Sequence, residues 1–215
     1  MLMEAGIRVA EPVAAAGTEI VELVAAGIHQ VTRSVATGRH YGSGEIFPVI
    51  PGLNAVARTR GGELVFTSSA GSPPYGTFAE RIVSPDAMRF PLPGGARPEA
   101  VAAGVNPGMA SWLPLKAREA EMGEVGRPGT VLILGVTGIA GFLAVQNARL
   151  LSATRVVGCG RGQPGLDRAA DVGAQTVAIT GDRDTDADAL ARVLDGDTPR
   201  WPRPTSRPRS RSTSS

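Results

Sequence analysis

The sequence predicts a mixed fold, α/β plus β: a small irregular β-barrel, then an incomplete doubly wound parallel sheet, then a disordered tail. Three observations predict it. Residues 1 to about 98 read as short strands punctuated by Gly and Pro. From residue 130 the order becomes apolar strand, glycine turn, apolar helix, and this alternation repeats. Only 64 residues follow Leu151, and residues 198–215 are mostly Arg, Pro, Ser and Thr.

In chain order, "GTEIVELVAAGI" (17–28) is β-rich and apolar. "GLNAVARTRGGELVFTSSAG" (52–71) reads as two short strands around Gly61-Gly62. "YGTFAERIVSP" (75–85) is a further strand closed by Pro85, and "MRFPLPGG" follows as an exposed edge. Residues 99–128 form a helical connection, Ala-rich and broken around Asn106-Pro107-Gly108, because a proline disfavours helix in the residue before it. A turn at Gly126–Gly129 leads into "TVLIL" (130–134), a continuous apolar run that fits a strand buried on both faces. A helix over 139–151, a strand over 154–159, a helix over 165–174 and a strand over 175–179 come next. A helix over 184–196 with an Asp cap closes the pattern, with Leu190 and Leu194 on one face. The predicted boundaries are therefore 1–98, 99–128, 129–197 and 198–215.

Composition narrows the function classes. A hydrophobic content of 42% allows a buried core. The sequence pI of 9.2 is misleading, since residues 198–215 hold five Arg and no acid. Subtracting those five from the formal +2 leaves residues 1–197 at −3, with no basic stripe for phosphates. No run reaches the ~18 apolar residues that cross a membrane, and the acid at Glu4 argues against a signal peptide. Cys159 stands alone, which excludes an internal disulfide and a multi-cysteine metal site. The expectation is a soluble cytoplasmic protein with neither membrane nor nucleic acid as partner.

Gly135, Gly138 and Gly141 are spaced G-x-x-G-x-x-G between the strand and the helix. Gly135 permits the tight turn, Gly138 lets backbone approach a pyrophosphate, and Gly141 lets the helix pack against the strands. The helix dipole and free N–H groups then face the anion. Thr137 and Ile139, between these glycines, belong to the same candidate site. A tight α/β turn without a ligand is the competing reading. After the second strand, "GCGRGQPGLDR" offers Arg161 and Arg168 and no acid before Asp167. A cation there accommodates the 2′-phosphate of NADPH, whereas an acid would bind the 2′-hydroxyl of NAD. An ordinary solvated Arg is the alternative.

These segments, with "LVAAGIHQVTRS", "PPYGTFAERIVSP" and "FPLPGGARPEAVAAGVNPGMASWLPL", resemble the quinone oxidoreductase-like, zinc-independent branch of the medium-chain dehydrogenase/reductase superfamily. The resemblance spans roughly residues 17–197 and implies a GroES-like domain followed by a Rossmann domain. It departs from the zinc-dependent members at "GIHQV" and "PGLNAVA", which lack the Cys, and Asn54 stands where an acid or His would be. The resemblance thus implies no metal, and hydride transfer from NADPH to a small-molecule quinone or enone carbonyl. It implies a cleft position near the nicotinamide for Asn106, with capping of a helix break as the alternative. Tyr41 is a candidate substrate contact, or a loop residue shielding a turn; His29 and His40 read as structural. Intact relatives imply a possible homodimer, and no residue is singled out as catalytic.

A full dinucleotide fold needs two βαβαβ halves, and only one is legible here. The abrupt Arg/Pro/Ser tail reads as the product of truncation or a shifted frame near residue 197, which would leave the chain inactive. The alternatives are a genuine basic tail and a non-catalytic nucleotide-binding or interaction fragment.

Overall fold

The computed structural model describes residues 10–41, 49–68, 75–122 and 129–194. The turn expected at 126–128, the last residues of the helix expected to 196, and the tail at 198–215 lie outside the described residues.

The first unit is a five-stranded antiparallel sheet. Strand β1 (Thr18–Ala26) leads through a short helix α1 (Gln30–Ala36) to β2 (Asn54–Arg58) and β3 (Leu64–Ser68). Strands β4 (Arg81–Pro85) and β5 (Phe90–Pro91) complete the order β4-β1-β2-β3-β5. The β2–β3 hairpin turns at Gly62, whose φ of +88° is open to glycine at no steric cost. Its core is Val21, Ala55, Ala57 and Ile82. The sheet curls, so that the Thr67 hydroxyl of β3 lies 2.7 Å from the Ser84 hydroxyl of β4, both fully buried. Pairing each with the other leaves no orphaned hydroxyl inside. Helix α1 was not expected from the sequence, and β4 is shorter than the run read at 75–85.

Helix α2 (Pro98–Met122) is continuous over 25 residues and contains both Pro107 and Pro114. The expected break at Asn106–Gly108 does not occur. Proline removes one N–H and strains the turn before it, but tertiary packing compensates here. Asn147 of the next helix donates its Nδ2 hydrogens to the Gly108 carbonyl at 3.0 Å and to the Ser111 hydroxyl at 2.9 Å. Helix α2 also packs on β1 and β2, so it spans both units.

The second unit holds β6 (Thr130–Leu134), α3 (Ile139–Leu150), β7 (Arg155–Gly160), α4 (Gln163–Asp171), β8 (Gln175–Ala178) and α5 (Arg183–Leu194). The three strands pair in parallel in the order β6-β7-β8. Helices α3 and α4 cover one face over Ile133, Val136, Ala144, Val145, Ala148, Val156 and Leu166. Helix α5 covers the other over Val157, Cys159 and Val177. Strand β6 is the edge, and its second face is open: Leu132 is 40% and Leu134 72% exposed. The reading of β6 as buried on both faces is corrected, because α5 reaches only β7 and β8.

Candidate functional site

Two backbone hydrogen bonds fix the turn between β6 and α3. The Gly135 and Val136 N–H groups both donate to the Cys159 carbonyl of β7, at 2.9 and 3.0 Å. Gly135 has φ +79°, and nothing lies within 4 Å of where a Cβ would stand. Gly141 is the reverse case, since a Cβ there would meet the Gly135 carbonyl oxygen at 2.3 Å and Val136 Cα at 2.6 Å. Helix α3 can therefore approach the turn only with glycine at 141.

Gly138 caps α3 without a side-chain hydrogen bond. Its own N–H donates to the Gly135 carbonyl, and its carbonyl accepts from Phe142. Among the described residues the N–H groups of Ile139, Ala140 and Gly141 find no acceptor. Ile139 is 61% exposed beside them. Three free N–H groups at the positive end of a twelve-residue helix, with no carboxylate or hydroxyl capping them, form a cradle for an anion.

The end of β7 adds a cation. Arg161 is exposed and forms no ion pair or hydrogen bond among the described residues. Arg168 is equally unpaired but lies in the last turn of α4, about 7.5 Å along the helix axis from its start. The structure thus assembles Gly135, Thr137, Gly138, Ile139, Gly141 and Arg161 at one end of the parallel sheet, while Arg168 lies farther down α4. Asn106 is half-buried inside α2, and no hydrogen bond ties it to the turn. Tyr41 is 99% exposed, with its ring centroid 4.3 Å from that of His40 and the two rings tilted by 32°.

Sequence reading missed two features. Gly158, Gly160 and Gly165 form a hollow under the turn, receiving the side chains of Val136 and Thr137. The alternation in "VGCGRGQPG" was the available signal. In the first unit, two buried side-chain atoms find no partner among the described residues, His29 Nε2 and Asn54 Oδ1. They flank one backbone junction: Gly27 donates its N–H to the Asn54 carbonyl, and a Cβ at Gly27 would lie 2.4 Å from both His29 Nε2 and the Ala102 carbonyl of α2. Buried polar atoms without partners are uncommon and costly.

No family model matches the chain. A 69-residue stretch is 44% identical to the probable NADPH-dependent quinone reductase tdiC of Emericella nidulans, covering 32% of this chain and 19% of that protein. The quinone oxidoreductase of Thermus thermophilus, solved also in complex with NADPH, is 28% identical with a TM-score of 0.66, over 80% of this chain and 54% of that one. A mycobacterial quinone oxidoreductase is 19% identical with a TM-score of 0.72, over 88% and 59%. The chain spans between half and two thirds of the length of these solved relatives.

Proposed function

From a chain that is quinone oxidoreductase-like, within the medium-chain dehydrogenase/reductase superfamily, we propose an NADPH-binding unit of a metal-free quinone or enone reductase. The observation that carries this reading is the uncapped start of α3, three free N–H groups beside the unpaired Arg161. The residues fit the cofactor. The turn offers open space at Gly135 for a pyrophosphate, and at Gly138 a Cβ would meet only the Gly135 carbonyl oxygen, at an ordinary contact of 3.6 Å. Arg161, with no acid before Asp167, favours the 2′-phosphate over the 2′-hydroxyl; Asp167 itself already accepts from Gln163 Nε2 at 2.7 Å.

NADPH, when bound, supplies the hydride. The protein supplies orientation and polar groups for the oxygen on which negative charge develops. Among the described residues of the first unit, His29 Nε2 and Asn54 Oδ1, beside α2, have unmet hydrogen-bonding capacity, and of the two only the imidazole nitrogen can donate. The curled five-stranded sheet supports a GroES-like domain, and the start of α2 at Pro98 and of β6 at Thr130 support boundaries near residues 98 and 129. The described residues hold the pyrophosphate and adenosine side of a dinucleotide fold. The 215 residues as a separate protein are therefore expected to bind NADPH with negligible turnover.

Calorimetric titration tests this. NADPH should bind more tightly than NADH, and Arg161→Asp should remove most of that preference, about 1.5–3 kcal/mol for a charge-assisted phosphate contact. Equal affinities in the unmodified chain would sink the cofactor assignment. Rapid NADPH-dependent reduction of a simple quinone by these 215 residues would overturn the expectation of negligible turnover.

A further inference from the structure

We propose that Thr137 is a spacer, setting the register between the free N–H groups at the start of α3 and the Arg161 guanidinium, and thereby the preference for a 2′-phosphate. The proposal rests on the nucleotide-binding reading above. Thr137 turns its methyl inward. A Cβ at Gly160 would stand 2.7 Å from Thr137 Cγ2, and one at Gly165 would stand 2.6 Å from Thr137 Cβ and 2.8 Å from Cγ2. Separations under 3.0 Å essentially never occur around real Cβ atoms, so Thr137 in this position requires glycine at both. Val136 makes the same demand on Gly158, at 2.6 Å.

The placement of these glycines gives the packing its meaning. Gly160 immediately precedes Arg161, and Gly165 is the third residue of α4. One side chain of the turn therefore touches the strand end that carries the cation and the helix that follows it. The hydrogen bonds from Gly135 and Val136 to the Cys159 carbonyl pin the near end of the turn to β7. Its far end is tied back on itself by the Gly138 N–H on the Gly135 carbonyl at 3.2 Å. The Thr137 side chain seated over Gly160 and Gly165 couples that end to β7 and α4, because close-packed interiors transmit displacements of one methyl. Bound nucleotide spans a fixed distance from pyrophosphate to 2′-phosphate. A shift in register then weakens the contact to Arg161 while the pyrophosphate contact persists. Thr137 is a positioning residue whose methyl makes the tighter contact, since a Cβ at Gly160 would stand 2.7 Å from Cγ2 and 3.2 Å from Oγ1.

The experiment uses the 215-residue chain with NADPH and NADH as probes, reading the ratio of their dissociation constants. Thr137→Ser removes only the seated methyl and should lower the ratio about threefold; Gly160→Ala, which overfills the seat, should lower it about tenfold. Combining Gly160→Ala with Thr137→Ser removes the clashing methyl and should recover most of the lost preference. A role confined to folding would lower the thermal midpoint and scale both affinities together, leaving the ratio unchanged. Binding with an unchanged ratio in Thr137→Ser and Gly160→Ala, or a double variant no better than Gly160→Ala, overturns the spacer alone. Failure of the unmodified chain to bind either nucleotide overturns the nucleotide reading, and the spacer with it.

Discussion

Gly141 is fixed by backbone, which side-chain motion cannot relieve. An alanine there would press on the Gly135 carbonyl at 2.3 Å and Val136 Cα at 2.6 Å. Gly141→Ala is expected to cost about 3 kcal/mol, the upper range for overpacking without room to adjust, read as a loss of unfolding free energy in urea. Gly135→Ala meets no atom, and its penalty comes only from the positive φ. Two aspartates at the start of α5 carry a pH dependence. The Thr185 hydroxyl and N–H hold Asp182 below the usual 3.8, and the Thr180 N–H, then its hydroxyl and the Gly181 N–H, do the same for Asp186. Carboxyls with a lowered folded-state pKa stabilise fully above the unfolded value and lose that contribution as pH falls through the folded one. Helix α5 should therefore fray below about pH 3.8, with the Thr180 and Gly181 amide signals shifting first in NMR spectra. Asp186→Asn should blunt that transition. At this scale the glycine triplet was legible because glycine roles depend on local backbone. The inward turn of Thr137 was not, because it depends on Gly160 and Gly165, more than twenty residues away.

Helix α2 shows what an element borrows from its neighbours. Two internal prolines would break an isolated helix, yet the 25 residues run on because α3 packs along them and Asn147 reaches across to Gly108 and Ser111. Asn147→Ala removes both bonds and leaves the Ser111 hydroxyl, which donates at 3.2 Å, as the side-chain donor on the Gly108 carbonyl. An unfolding cost of about 1–2 kcal/mol is expected by thermal or urea denaturation. A change below a few tenths would mean that packing on α3 suffices. The same dependence explains the sequence reading. Strands β1, β2, β3 and β7 and helices α3 and α5 fell within a few residues of their expected bounds, since each carries its own periodicity or cap. Helix α1 was missed because "QVTRSVA" has two β-branched valines and a threonine, weak helix formers, and no capping side chain. The break in α2 was expected because the compensating partner lies forty residues ahead.

Across the whole molecule, the open side of β6 dominates the surface chemistry. Leu132 and Leu134 project from β6, which among the described residues has a neighbouring strand, β7, on one side only and carries no charge in "TVLIL", the pattern that recruits further strands. Concentration-dependent association is expected in sedimentation, and Leu134→Lys should reduce it without lowering the thermal midpoint, because this side chain is already 72% exposed. Fold class was legible from the switch between short punctuated strands and strand–turn–helix repeats. The curl that brings β3 to β4 was not, since two hydroxyls seventeen residues apart announce no pairing. Purified protein should contain no stoichiometric zinc, and elemental analysis finding about one atom per chain after chelator dialysis would reverse that expectation. Cys159 gives the molecule a built-in clock. It is the chain's single cysteine, its carbonyl anchors the glycine turn, and its thiol is 2% exposed beneath α5. A thiol reagent can reach it only when α5 lifts from the sheet, so the labelling rate measures how often that layer opens. A ligand that binds only the closed form slows this rate in proportion to its saturation. One unmodified sulfur thus reports both the breathing of the sheet and the occupancy of the turn on its edge.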